Sequence, residues 1–183
     1  MATRRKRIKA AKKKRSAAVP GRDKLPVKAG RPQKAAKASG AGFLVVGIGA
    51  SAGGLAAFEA FFSGMPAKSD PGMAFVLVQH LSPDHKSLLK EILDRHTRMQ
   101  VIEIEDGTKV EPNRVYIIPP GRNLSLTGGV LRLSDPDHLR GHRLPIDFFF
   151  RSLARDQGER AVCVVLSGTG SDGTMGIRSI KGE

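Results

Sequence analysis

From residue 43 onward the chain alternates short, continuous apolar runs with longer stretches in which apolar residues recur every three or four positions. Short runs bounded by turn residues suit strands buried on both faces, whereas the 3.6-residue period suits helices with one buried stripe. FLVVGIG (residues 43–49) predicts a first strand. GGLAAFEAFFSGMP (53–66) then predicts a helix that buries Leu55, Phe58 and Phe62 and stops at Gly64 and Pro66. MAFVLVQH (73–80) predicts a second strand. SPDHKSLLKEILDRHT (82–97) follows as a helix capped by Ser82, with Pro83 in its first turn and Leu88, Leu89, Ile92 and Leu93 facing inward.

Three further strand-like runs come next: QVIEIEDG (100–107), RVYIIPPG (114–121) and NLSLTGGVLRLS (123–134), the last folding back at Gly128 and Gly129 as a hairpin. This middle region is expected as an antiparallel insert. LPIDFFFRSLARDQG (144–158) restores helical spacing through Ile146, Phe149, Phe150, Leu153 and Ala154, and Gly158 ends it. RAVCVVLSG (160–168) predicts another buried strand, and a Gly-rich turn then leads into a last helix. Together these elements predict an α/β fold: a doubly wound, mostly parallel sheet with helices on both faces and a small antiparallel hairpin insert.

Charge changes the picture at one end only. The 183 residues carry a net charge of +14, which taken whole suggests a nucleic-acid binder. Residues 1–42, however, hold 15 of the 31 Lys and Arg and, in Asp23, one of the 17 acids. That segment therefore carries the whole excess, and the body is balanced. The segment has no aromatic residue and no sustained apolar stripe, so it is expected as a disordered basic tail making at most weak contacts with anionic partners. No obligatory nucleic-acid partner is expected. Neither a secretory h-region nor an apolar run of about 18 residues is present, so no transmembrane segment and a soluble cytoplasmic protein are expected. Cys163, inside AVCVVL, is expected to be a small buried thiol.

In a doubly wound parallel sheet the strand-to-helix loops emerge at one carboxyl edge, where residues distant in sequence can meet. The candidate loops are GASAGG (49–54), QHLSPDH (79–85), EDG (105–107) and SGTGSDG (167–173). They offer a hydroxyl in Ser51, an imidazole in His80 and a carboxylate in Asp172 or Asp106. These are the parts of nucleophilic acyl transfer, in which a serine needs a base to take its proton and an acid to orient that base. Gly49, Gly53 and Gly54 would turn the backbone sharply and leave Ser51 uncrowded at a helix N-terminus. A phosphate cradle is the rival reading, since Gly47, Gly49 and Ala52 fit G-x-G-x-x-A after a strand. A dinucleotide site also wants an acid at the tip of the second strand, where this chain has Gln79 and His80, and no Lys follows the glycines. GASAG also fits the G-x-S-x-G elbow, but the order Ser51, His80, Asp172 differs from the Ser, acid, His order of α/β-hydrolases. Asp172 could instead cap the last helix. His85 and His96 are expected on the surface of the second helix. His138 and His142 flank basic residues in a loop, where a zinc site would need further ligands.

The motifs GIGASAGG, VQHLSPDHKSLL, EDG, VYIIPPG, HRLPIDFFFRSLA and VLSGTGSDGTMG, in that order across residues 43–183, resemble the chemotaxis protein-glutamate methylesterases. The wording looks most like the CheB-type catalytic domains of hybrid proteins that also carry a receptor methyltransferase. The resemblance implies a serine-type carboxyl-ester hydrolase that removes methyl groups from glutamyl methyl esters of chemoreceptors, releasing methanol in chemotaxis signalling. It implies no metal and no cofactor, and a methylated chemoreceptor cytoplasmic domain as protein substrate. Ser51 matches the family nucleophile, His80 the base and Asp172 the acid; the backbone N–H of Thr169 matches an oxyanion-hole position. The alternative is a catalytically weak regulatory or binding module on the same fold. This chain departs from the family pattern in three ways: Ala52 replaces a common Thr, no receiver domain precedes the motifs, and family members continue beyond the last helix. Residues 43–183 are therefore expected to form a C-terminally truncated methylesterase catalytic domain, behind a tail at 1–42.

Overall fold

The computed structural model describes residues 42–51, 53–66, 70–79, 88–136, 144–168 and 170–182. Five strands form one parallel sheet: β1 (Val45–Ala50), β2 (Ala74–Gln79), β3 (Gln100–Glu103), β4 (Arg114–Ile117) and β7 (Ala161–Ser167), in the order β3-β4-β2-β1-β7. β5 (Asn123–Thr127) and β6 (Val130–Ser134) make a separate antiparallel hairpin. The helices are α1 (Gly54–Ser63), α2 (Leu89–His96), α3 (Pro145–Gln157) and α4 (Thr174–Lys181), with a single 3₁₀ turn at Gly158–Arg160.

The sheet works as a partition between two apolar layers. Alternate residues of β1 and β2 point to opposite faces, because the side-chain period of a strand is two. Val46, Ile48, Phe75 and Leu77 meet Phe58 and Phe62 of α1 and Leu89 and Leu93 of α2 on one face. Val45, Val76 and Val78 meet Ile146, Phe149, Phe150 and Leu153 of α3, together with Leu124, Leu126 and Leu131 of the hairpin, on the other. Each of those fully buried side chains contributes roughly 1.5–3 kcal/mol of transfer free energy. The double-sided burial explains why β1 reads as a continuous apolar run rather than as an alternating one.

The expected α/β architecture is present, with two corrections. The region 100–134 is not antiparallel throughout: β3 and β4 pair in parallel with each other, and β4 pairs in parallel with β2. Only the stretch from Asn123 to Ser134 folds back. Leu88 does not face inward but is 60% exposed, because α2 begins at Leu89 and its buried stripe runs through Leu89 and Leu93. The tail expected over residues 1–42 lies outside the described residues apart from Gly42, as do Ser82, His85, His138 and His142.

Candidate functional site

β1 is flanked by β2 on one side and by the edge strand β7 on the other, so strand order reverses at β1. Ligands of such sheets bind where neighbouring connections run opposite ways, off the carboxyl ends of the strands. Ser51 follows Ala50 directly at that point. The register is explicit: Ala50 pairs with Gln79 at the tip of β2 and with Ser167 at the tip of β7.

The backbone fixes Ser51 against the loop that follows β7. Its N–H donates to the Ser167 carbonyl at 3.0 Å, and its own carbonyl accepts from Gly54 N–H at 3.0 Å to start α1. A Cβ built at Gly168 would lie 3.3 Å from Ser51 Cβ, so a side chain at 168 would press on the serine. Ser51 is half-buried. His80, the residue after Gln79, and Thr169 lie outside the described residues.

Asp172 is described, and its carboxylate serves α3. Its Oδ1 accepts from Asp147 N–H at 2.8 Å and its Oδ2 from Ile146 N–H at 3.1 Å, both in the first turn of α3. Leu144, at the cap position of α3, supplies no side-chain bond, so a carboxylate 25 residues away satisfies amides that the helix cannot satisfy itself. Asp106 is a different case. It follows β3, three strands from β1 and, at a spacing of about 4.8 Å, roughly 14 Å across the sheet. Its Oδ1 accepts from Leu133 N–H at 2.9 Å and its Oδ2 lies 3.6 Å from Arg132 Nη1, which ties it to the hairpin.

The glycines divide their work in a way the sequence reading missed. A Cβ at Gly47 would sit 2.9–3.0 Å from Leu153, Phe149 and Phe150, and one at Gly49 would sit 2.5 Å from Ile146 Cγ2. Both glycines therefore let α3 approach β1; the G-x-G-x-x-A pattern here marks close helix packing rather than a phosphate cradle. Gly53 takes φ +76 in the turn before α1. Gly54 makes room for Gln79, whose Nε2 would lie 2.8 Å from a Cβ there. Among the described residues, the buried Gln79 Oε1 and Ser167 Oγ have no hydrogen-bond partner. Both belong to strand tips that flank Ala50 and Ser51.

A second serine and histidine meet elsewhere. His96 Nδ1 lies 3.0 Å from Ser63 Oγ, and His96 Nε2 lies 3.1 Å from Glu59 Oε1. Here Ser63 Oγ donates to the Glu59 carbonyl at 2.6 Å, and the nearby Gly64 and Met65 amides bond to helix carbonyls. With its proton committed and no free oxyanion donor beside it among the described residues, this group is a clasp between α1 and α2. Cys163 is half-buried, and burial pushes its thiol well above the ordinary range, which keeps it protonated and unreactive.

The family model described as CheB methylesterase matches residues 46–183. A protein-glutamate methylesterase/protein-glutamine glutaminase of Pseudomonas aeruginosa is 34% identical over 141 residues, which are 75% of this chain and 40% of that protein. A Yersinia pestis protein of the same description is 35% identical over 137 residues, 73% of this chain and 38% of its own length. The chain thus spans about two fifths of these relatives. A stretch of 92 residues is 47% identical to one tenth of an uncharacterized 104.1 kDa protein of Rhodobacter capsulatus. Among solved structures, the crystal structure of the Thermotoga maritima CheB methylesterase catalytic domain aligns with TM-score 0.69 and 31% identity, covering 77% of this chain and 76% of that one.

Proposed function

Since the chain belongs to the CheB methylesterase family, we propose that it hydrolyses glutamyl methyl esters of chemoreceptors with Ser51 as nucleophile, His80 as general base and Asp172 as the orienting acid. Ser51 Oγ attacks the ester carbonyl while His80 takes its proton. The backbone N–H of Thr169 stabilises the resulting oxyanion, and collapse expels methanol, protonated by His80. Water, deprotonated by His80, then attacks the acyl-enzyme; release of Ser51 leaves the free glutamate. The Pseudomonas and Yersinia relatives are also described as glutaminases. A glutamine side chain fits the same acyl-enzyme route, with ammonia leaving in place of methanol.

One observation carries this reading. The main-chain bond from Ser51 N–H to the Ser167 carbonyl holds the serine against the loop that ends in Asp172, while Ala50 lies in register with the residue before His80. Residues 1–42 take no part in the chemistry. No helix of the described residues is long and apolar enough to cross a membrane, and the reaction is assigned to the cytoplasm, where receptor signalling domains lie. Labelling the full chain with a serine-directed fluorophosphonate tests the assignment. The adduct is expected on Ser51 and is expected to disappear in Ser51→Ala; an adduct formed equally by both chains would overturn it.

A further inference from the structure

Asp147 has no part in the chemistry proposed above, yet it is a buried acid, 3% exposed, in the first turn of α3. Burying a carboxylate costs several kcal/mol unless hydrogen bonds to its oxygens offset the loss of water. Its Oδ1 accepts from Gly176 N–H, in the first turn of α4, at 2.7 Å. The cap residue of α4, Gly173, has no side chain to do this. The main-chain N–H of the same Asp147 donates to Asp172 Oδ1. The two helices thus exchange caps: the acid preceding α4 holds the start of α3, and the acid inside the first turn of α3 holds the start of α4.

The exchange closes a tight ring from Asp147 N–H to Asp172, along the chain to Gly176, and back to the Asp147 side chain. Little slack is left in it. A Cβ at Gly176 would collide with Phe150 Cβ, and one at Gly173, where φ is +98, would sit 2.9 Å from Val165 Cγ2 and 3.1 Å from Ile146 Cγ2. We infer that Asp147 is a positioning residue for the site: its carboxylate fixes the start of α4, and through it the loop that carries Asp172. The inference rests on the assignment of Asp172 as the orienting acid. A carboxylate displaced by about 1 Å from its partner can cost on the order of 100-fold in rate. Asp147 is buried at 3% exposure and acts through Asp172, so the loss is expected in kcat rather than in KM.

The test uses Asp147→Ala and Asp147→Asn in the full chain, alone and combined with Asp172→Ala. Two quantities are read: Ser51-dependent hydrolysis of a methyl-esterified glutamyl peptide, and hydrogen exchange of the Ile146 amide, which donates to Asp172. Asp147→Ala is expected to speed that exchange about 10-fold or more and to lower kcat by about 10–100-fold at unchanged KM. Asp147→Asn keeps an oxygen for Gly176 N–H and is expected to recover most of both losses, and it remains informative if the alanine variant folds poorly. In the Asp172→Ala background, removing Asp147 should have no further effect on kcat. A kcat within about twofold of the parent, an Ile146 exchange rate left unchanged, or an equal fractional loss in both backgrounds overturns the inference. If the parent chain shows no Ser51-dependent hydrolysis, the functional reading fails by itself; the Ile146 exchange then decides the cap exchange separately, faster exchange upholding it and unchanged exchange overturning it.

Discussion

Replacing Gly49 with alanine is expected to destabilise the domain through one identifiable contact. The new methyl would lie 2.5 Å from Ile146 Cγ2, 3.0 Å from its Cδ1 and 3.2 Å from its Cγ1, where carbon atoms prefer about 3.5–4.0 Å. Gly49 does not occupy a left-handed conformation, so the penalty is steric and not one of backbone strain. Ile146 cannot swing away: it is β-branched, which restricts its χ1 within a helix, and it is buried in the core. Helix α3 must therefore move. Overpacking of this kind costs about 1–3 kcal/mol, and an alanine in a compatible strand position returns about 0.4–1 kcal/mol through the unfolded chain. A net loss of about 1–2 kcal/mol lowers Tm by about 3–8 °C in a domain of this size. Thermal melts and urea titrations of Gly49→Ala, Ile146→Ala and the double variant measure it. Ile146→Ala alone should cost about 2–5 kcal/mol, and because it removes all three clashing atoms, the double variant should be more stable than additivity predicts by about 1 kcal/mol or more. A Tm for Gly49→Ala within about 1 °C of the parent, or strict additivity, would refute the close-packing argument.

Two further outcomes follow from described contacts. Asp156 holds the hairpin turn to α3 through bonds from Gly128 N–H and Gly129 N–H, the latter at 3.0 Å, so Asp156→Ala should cost about 1–3 kcal/mol in chemical denaturation and raise amide exchange at Gly128 and Gly129. Cys163, its thiol pushed up by burial, should resist iodoacetamide at pH 8 in the native protein and react readily in urea. Because its folded-state pKa is raised, the associated stability is complete below the unfolded thiol's pKa of about 8.5 and declines as pH rises beyond it; native labelling as fast as in urea would contradict this.

The elements whose burial is local were legible in the chain. β1, β2 and β7 read as apolar runs, and α3 reads from the spacing of Ile146, Phe149, Phe150 and Leu153. Pairing was less legible, because an apolar run such as RVYI does not encode whether its neighbour runs parallel; β4 lies between β3 and β2, a non-local choice settled by packing. The close approach of α3 was present as a signal that went unread: Gly47 and Gly49 are two apart, hence on one face of a buried strand, opposite a helix rich in bulky side chains. Asp172 stood out as a carboxylate in a Gly-rich turn, but its service to a helix 25 residues earlier depends on tertiary contact and has no local signature. Asp147 left one trace, a lone acid inside the apolar stripe PIDFFF, where a charge demands a buried partner. Gln79 and Ser167 left none, since strand tips carry polar residues for many reasons.

Methanol release tests the proposed ester hydrolysis most directly. Incubated with a methyl-esterified chemoreceptor cytoplasmic domain, the full chain is expected to release methanol in proportion to enzyme, and Ser51→Ala and His80→Ala are each expected to reduce the rate by about 10⁴-fold or more. Release that persists undiminished in Ser51→Ala, or a parent chain that releases none, would contradict it.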